Sequence, residues 1–444
     1  MDKLLEEIYG MDGRTAKECE KHLMLGGGTP GIPLMKKGKG VRLFDMENKP
    51  YIDCTSQSWA MYLGHANDEM NSVLCEHMKS MSHMHQGVHT PVRFYLAKLL
   101  SEIAPDGLNR TSFTVGGGPA IEAAMKICIK NTETSRDFIC LYDSYHGTTL
   151  GSLGATWMST RSAGKLIGGS RFLSLTRPFI RVPNPNCYRC FLGLKRPDCN
   201  LACAKMLELT IQKGIAGNAA GLILEPVQAS GGQVILPVEY LKEVRRICDR
   251  YEIPLVFDEI QTYCRIGEFF AAGYFGVTPD IIVLGKGLGG GMPIAGIIIS
   301  DKLKGFQPDG EELHTFANNS LSQVAAIKLI RMMQDGILEN AREMGDYLRK
   351  GLESLQKEYW QIGDIRQVGL HIGVEFIKDP QTLEPAVEEA GNMRMEIIKR
   401  GVLLGVAGPC KQVLKIKPPL VINREECAEI LNILADTLKA VFRP

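Results

Sequence analysis

The sequence predicts an α/β fold: a large domain with a mainly parallel sheet, followed by a smaller α+β C-terminal domain. Three observations carry that expectation. The chain has 444 residues, more than one small core organises and enough for a large domain plus a smaller one. From about residue 110 to 300, short apolar runs alternate with amphipathic stretches, the pattern of strands buried between helices. After Ser320 the pattern becomes long helices, then short strands and a closing helix. No internal repeat, low-complexity tract or Pro/Gly/Ser-rich linker interrupts the chain. The division that follows is an N-terminal segment over residues 1–60 packing with the small domain, a large domain over 61–330 and a small domain over 331–444.

Residues 220–224, 254–257 and 281–284 read as buried parallel strands. Each ends in polar or glycine-rich residues: Glu225-Pro226, Asp258-Glu259 and Gly285-Lys286-Gly287. Chemistry in an open α/β sheet gathers at the carboxyl ends of its strands, so these tips are expected to meet in one crevice. A helix is predicted over 238–251, where Leu241, Val244 and Ile247 share a face. An apolar-polar stretch at 111–115 enters three glycines, with Pro119 expected at the first helical position. Further helices are expected over 323–335 and 340–358, strands over 371–376 and 413–417, and a last helix from Arg424.

Composition excludes several function classes. The net charge of +1 draws the protein neither to nucleic acid nor to an anionic membrane. The opening MDKLLEEIYG lacks the basic start and apolar core of a signal peptide, and apolar runs such as 292–299 are too short to span a bilayer. Thirteen cysteines, scattered singly apart from one cluster, indicate reduced thiols and a cytoplasmic protein.

The glycines at 116–118 let a phosphate approach the backbone, and the helix start behind them supplies open N–H groups and a favourable dipole; a plain strand-to-helix turn explains them equally well. The acid pair Asp258-Glu259 is open to metal binding, acid–base chemistry or helix capping. Lys286 changes that balance. Flanked by glycines in Leu-Gly-Lys-Gly-Leu-Gly-Gly-Gly at 284–291, it is sterically open to a bulky aldehyde, and a lowered pKa would make it nucleophilic. The stretch is no Walker loop, because Asp280 and Gly287 stand where that motif needs Gly and Ser or Thr. A carboxylate, a lysine and a phosphate cradle on neighbouring strand tips are the parts that pyridoxal 5′-phosphate (PLP) needs: the lysine forms an imine, and the carboxylate keeps the ring nitrogen protonated.

The order of motifs resembles the class III (ω-type) aminotransferases, PLP-dependent enzymes of fold type I, over almost the whole chain. The matching pieces are Gly-Lys-Gly-Leu-Gly-Gly-Gly-Met-Pro at 285–293, Asp-Glu-Ile-Gln-Thr at 258–262 and Tyr-His-Gly-Thr-Thr-Leu-Gly at 145–151. Glu-Pro-Val-Gln at 225–228, His-Thr-Phe at 314–316 and Lys-Ile-Lys-Pro-Pro-Leu at 415–420 add to them. The resemblance implies that Lys286 carries PLP as a Schiff base and that Asp258 pairs with its ring nitrogen. It implies that Gln261 bonds the ring hydroxyl, that Ile260 and Tyr145 flank the ring, and that Gly117 and Gly118 hold the phosphate. His146 and Glu225 complete the cofactor set. Thr315 would reach the phosphate of a neighbouring subunit, which implies a homodimer with shared active sites, or a tetramer built from it. The activity implied is transfer of an amino group from an amino acid or ω-amine to a 2-keto acid. Its rivals are a racemase or epimerase and a phospholyase of the same family, and, outside catalysis, a binding or assembly protein that keeps the fold.

Several positions depart from the family pattern. Gly116-Gly117-Gly118 replaces a frequent Ser-Gly-Ser. Tyr263-Cys264-Arg265 replaces Gly-Phe-Gly-Arg, which leaves Arg265 without a definite place and offers Tyr263 and Cys264 as candidates for a second acid on the far face of the cofactor. Ser230 stands at a glutamate position and Lys415 at an arginine position, so a point charge replaces a planar fork. Ser58 and Trp59 fall where ω-amine transaminases carry a pocket tryptophan; a core anchor is the alternative for Trp59. Substrate residues are thus expected at Ser58, Trp59 and Lys415. Cys187, Cys190, Cys199 and Cys203 have spacing that could make a zinc site, but the short middle gap favours free thiols. His77, His83, His85 and His89 share no unifying spacing, so no metal is expected there and the segment is assigned to the mouth of the active site.

Overall fold

Seven strands form the central sheet: β1 Leu108–Thr114, β2 Asp137–Leu141, β3 Ile180–Val182, β4 Ala219–Leu224, β5 Leu255–Asp258, β6 Ile281–Leu284 and β7 Ala295–Ser300. Their spatial order is β1-β7-β6-β5-β4-β2-β3. All neighbours are parallel except β7, which is antiparallel to both β6 and β1. The computed structural model describes residues 2–24, 31–132, 136–176 and 179–442.

The central strands are apolar without interruption, so alternate side chains serve two layers. Leu255 and Phe257 join the core under Val238–Arg250 with Leu241, Val244 and Ile247. Val256, between them, joins Ile121, Ala124 and Ile127 of the helix Gly117–Lys130 on the other face. Register then fixes the crevice. Phe257 stands beside Leu224, and Asp258 beside Val283. Glu225, Asp258 and Lys286 therefore follow on three adjacent strand ends.

Among the described residues, two four-stranded sheets and two short two-stranded ones accompany the central sheet. Ile362–Val368, His371–Phe376, Val413–Ile416 and Gly405–Ala407 make an antiparallel four-stranded sheet. Met35–Lys39, Arg42–Asp45 and Pro50–Asp53 make another with Val402–Leu403.

Differences from the expected elements have local causes. The stretch expected at 111–115 is β1, and the helix after it begins at Gly117 with Gly116 as its cap, so Pro119 is the third helical residue. The helix expected over 323–335 runs as Ser320–Met332 and passes through a π turn, Met333–Ile337, before Leu338–Glu358. Gly336, at φ +94°, adopts a conformation that an uninterrupted helix has no place for. One segment without glycine is strained: Ser56, Gln57, Ser58 and Trp59 have φ of +43°, +48°, +60° and +69°.

Candidate active site

The pocket at the strand tips has a volume of about 220 Å³ and is lined by Gly117, Gly118, Tyr145, His146, Asp258 and Lys286, among others. Ile260 and Gln261 also line it, together with Thr148 and Thr149. Lys286 opens the short turn Lys286–Gly289 in a left-handed conformation, φ +44°, that turns its side chain off the end of β6. Gly287 is obligatory beside it, because a Cβ there would stand 2.0 Å from the Tyr62 ring. Burial draws the Lys286 amine down to about 8, against the pull of Asp258 and Glu225.

Asp258 Oδ2 lies 2.8 Å from His146 Nδ1, and Asp258 Oδ1 accepts the Ile260 N–H at 3.1 Å. Burial opposes charge on His146, but the hydrogen bond and charge of Asp258 raise its pKa overall. The second carboxylate of the pair has another task. Glu259 accepts from the N–H groups of Ala271 and Ala272 and the Thr262 hydroxyl, capping the helix Ala271–Phe275. Glu225 does not line the pocket. It accepts from the N–H groups of Tyr145, at 2.9 Å, and Ala229, so it holds the Tyr145 backbone, and burial pushes it up to about 7.

The geometry also bears on the fit of PLP. The helix Gly117–Lys130 has no side-chain cap, which leaves its first N–H groups open. A Cβ on Gly117 would come within 2.9 Å of Ile260 Cδ1, and one on Gly118 within 2.8 Å of Thr149 Oγ1, so glycine keeps both positions clear. Gln261 Oε1 and His146 Nε2 are buried without a protein partner, a cost that a polar ligand would remove. The residues present fit the group.

Trp59, Ser58 and Lys415 do not line this pocket. They line a separate cleft of about 580 Å³ with Thr55, Gln57, Arg394, Lys411 and Gly405. The Trp59 ring links the two spaces, because Lys286 Nζ lies 5.1 Å, Lys415 Nζ 4.8 Å and Lys417 Nζ 4.1 Å from its centre. Lys417 is fully buried, 3.0 Å from His371 Nε2. Burial and neighbouring cations push Lys415 down to about 8 and hold both Lys417 and His371 well below their usual values.

Other expectations meet different ends. Thr315 is exposed and lines neither space within this chain. Tyr263 and Cys264 are fully buried in the core, with Tyr263 against Phe269 and Phe270, and neither lines the pocket. Arg265 is fully buried and donates to Pro418 O and Ser56 Oγ, tying the strained Ser56–Trp59 turn to the small sheet. The histidine segment does not line this pocket within this chain: Met84 N donates to Asn318 O and His83 packs on Phe316, so it lies against the turn that holds Thr315. Cys187, Cys190, Cys199 and Cys203 line one small cavity as free thiols. No three His, Cys, Asp or Glu side chains among the described residues converge to hold a metal ion. Sequence reasoning missed Thr148 and Thr149, although the motif containing them was visible, and Lys417, Arg394 and Lys411, of which only Lys417 sat in a recognised motif.

A mainly parallel sheet whose strand ends bring a pocket lysine, a carboxylate–histidine pair and a glycine-walled helix start together defines a PLP enzyme of fold type I. Residues 28–438 match the family model described as aminotransferase class-III. The chain is 33% identical over 430 residues to an adenosylmethionine-8-amino-7-oxononanoate aminotransferase of Geobacter sulfurreducens, covering 91% of each protein. It is 31% identical over 404 residues to a leucine/methionine racemase of Thermococcus litoralis, covering 90% of this chain and 88% of that one. A transaminase structure from the marine bacterium Virgibacillus superposes with a TM-score of 0.82 at 26% identity, over 96% of this chain and 99% of that one. The protein belongs to the class III aminotransferase family and is a PLP-dependent enzyme.

Proposed function

We propose that the protein transfers an amino group from an amino acid or ω-amine to a 2-keto acid, with Lys286 as the base. The observation that carries this reading is the Lys286 amine, drawn down to about 8 and directed into a pocket whose other charged wall is the Asp258–His146 pair. Bound there, PLP supplies an aldehyde that takes up the amino group and a protonated ring that accepts the electron pair of a broken C–H bond. Asp258 would hold the proton on the ring nitrogen, with His146 keeping that carboxylate in position. Ile260 and Tyr145 would flank the ring, the Gly117 and Gly118 N–H groups would hold the phosphate, and Gln261 would bond the ring hydroxyl. Lys286 Nζ would accept the proton from the donor carbon and release it again as the amino group is transferred, and a keto acid would run the sequence in reverse. Lys415 and Ser58 receive the substrate, with Trp59 as the wall between the two spaces.

Racemisation is the second reading, because the Thermococcus relative is described as a racemase. That reaction needs an acid on the far face, and the residues that the sequence offered, Tyr263 and Cys264, do not line the pocket. The assembly proposed is a homodimer in which Thr315 completes the partner's phosphate site; Leu313 and Phe316, 58% and 60% exposed beside it, support a contact there. The compartment proposed is the cytoplasm, consistent with thirteen free cysteines. The pairing of Pro50–Asp53 with Val402–Leu403 supports grouping the N-terminal segment with the small domain.

A panel of single amino acids and amines, each without a keto acid, tests the reading. Transfer releases about one equivalent of carbonyl product per chain and then stops. A substrate that loses optical activity continuously and yields no carbonyl product would overturn it in favour of racemisation.

A further inference from the structure

Tyr145, His146, Gly147, Thr148 and Thr149 follow one another along the wall of the pocket at Lys286. The stretch is neither helix nor strand, so its shape depends on the groups that take up its polar backbone. Glu225 accepts from Tyr145 N at one end, at 2.9 Å. In the middle, Thr156 Oγ1 accepts from His146 N at 3.0 Å and donates to Gly147 O at 2.6 Å. At the other end stands Glu122, a residue of the helix Gly117–Lys130 that does not itself line the pocket.

Glu122 Oε1 accepts from the Thr149 hydroxyl at 2.6 Å and from the Gly151 and Ser152 N–H groups at 2.8 and 3.3 Å. Those two N–H groups belong to the first turn of the short helix Leu150–Ala155, so they are spent on Glu122 and offer nothing to another anion. The Thr149 hydroxyl oxygen also lies 2.9 Å from Oγ of the fully buried Ser152. With its proton given to Glu122 it takes the proton of Ser152, and its orientation is fixed from both sides. Glu122 stands one helical turn beyond Gly118, and its side chain points back over the start of that helix. Contact there is close: a Cβ on Gly118 would stand 2.8 Å from Thr149 Oγ1, and one on Gly147 would stand 3.0 Å from Gly118 Cα. The bonds to Glu122 therefore set how far Thr149 stands from Gly118.

We propose that Glu122 is a positioning residue for the phosphate of the cofactor. By holding Thr149 and the turn after it on the helix that begins at Gly117, it fixes the width of the cradle between Gly118 and Thr149. It also occupies the donors of the neighbouring short helix, which leaves the open N–H groups at Gly117 and Gly118 to take up the dianion. Three donors face its own carboxylate and offset its charge beside a phosphate. This rests on the placement of the phosphate at Gly117 and Gly118, and it adds the group that keeps Thr149 in register with them.

The test titrates the full-length apo-protein with PLP and, separately, with pyridoxal, which lacks the phosphate; bound PLP is also observed by phosphorus NMR. Glu122→Ala should weaken PLP about tenfold, the loss expected for one charged hydrogen bond, and change pyridoxal binding less than about twofold. The phosphorus resonance of the bound cofactor should move in the same variant. Glu122→Gln keeps an acceptor oxygen and should bind PLP within about threefold of wild type. With saturating PLP, kcat of Glu122→Ala should stay within about twofold of wild type. Should the alanine variant fail to fold, Thr149 carries the test: Thr149→Val should weaken PLP about tenfold, and Thr149→Ser should restore it. A lower melting temperature with unchanged PLP affinity and an unmoved phosphorus resonance would reduce Glu122 to a helix cap and overturn the proposal. Equal losses for PLP and pyridoxal would overturn it as well. Gly118→Ala, whose methyl enters the cradle, checks the placement of the phosphate. Unchanged PLP binding there would overturn that placement, whereas wild-type binding in the Glu122 and Thr149 variants alone would overturn only the role of Glu122.

Discussion

The pocket at Lys286 and the cleft at Trp59 share a wall but obey different electrostatics. In the pocket each charge meets an opposite: Asp258 is held by His146, and Lys286 feels Asp258 and Glu225. In the cleft every charged lining group among the described residues is positive. A balanced set can hold a cofactor permanently, because it folds without one at tolerable cost. An unbalanced set is completed only when a charged molecule arrives. The two therefore respond differently to substitution.

The largest expected effect lies in the pocket. Lys286→Ala should lower turnover by about 10³ or more with the fold intact. Borohydride reduction of the holoenzyme followed by peptide mapping should place the cofactor on Lys286; a label on Lys415 or Lys417, which border the same Trp59 ring, would break the comparison. Asp258→Asn comes next. It keeps an acceptor for His146 but loses the charge facing the ring nitrogen, so kcat should fall about 10²-fold with a smaller change in PLP affinity. Near-normal turnover would reduce Asp258 to a support for His146.

The cleft makes a prediction about pH. Lys286 and Lys415 lie near 8 in the folded chain against an ordinary 10.5. Between those values the unfolded chain binds more protons, so stability of the PLP-free protein should rise as pH climbs from about 8 towards 10.5, and the advantage is absent below that window. Melting curves across that range should show a rise of several degrees, and Lys415→Met should flatten it and raise stability at pH 7 by removing a buried cation. A curve unchanged in the variant would mean that Lys415 already has a counter-charge. The smallest effect concerns the strained turn. Ser58→Gly should relieve a left-handed residue and stabilise by up to about 1 kcal/mol, while Ser58→Val should destabilise. An increase in KM for the glycine variant, measured in the same protein, would give the Ser58 hydroxyl a substrate contact.

The strands at 220–224, 254–257 and 281–284 were legible because continuous apolar runs broken by polar tips leave little choice of structure; Lys286 and Asp258 stood at those tips, and Gln261 came only with the resemblance to the family. Glu225 was legible as part of the constellation but not in its task, since the sequence does not tell a carboxylate that faces a ligand from one that holds a backbone N–H of Tyr145. Tyr263 and Cys264 show a related limit: two residues beyond Asp258 the chain turns, and the turn carries both into the core, off the lining of the pocket.

By itself the sequence determined the local elements, the spacing of the chemical groups along them and the cofactor those groups suit, because periodicity and turn chemistry act over a few residues. Only the tertiary structure decided what stands across from what. It brought Trp59 from a strained N-terminal turn against Lys286, Lys415 and Lys417, which come from two different sheets, and it set Arg394 and Lys411 in the same cleft. Such charge balance depends on contacts between residues hundreds of positions apart, and no local pattern encodes it.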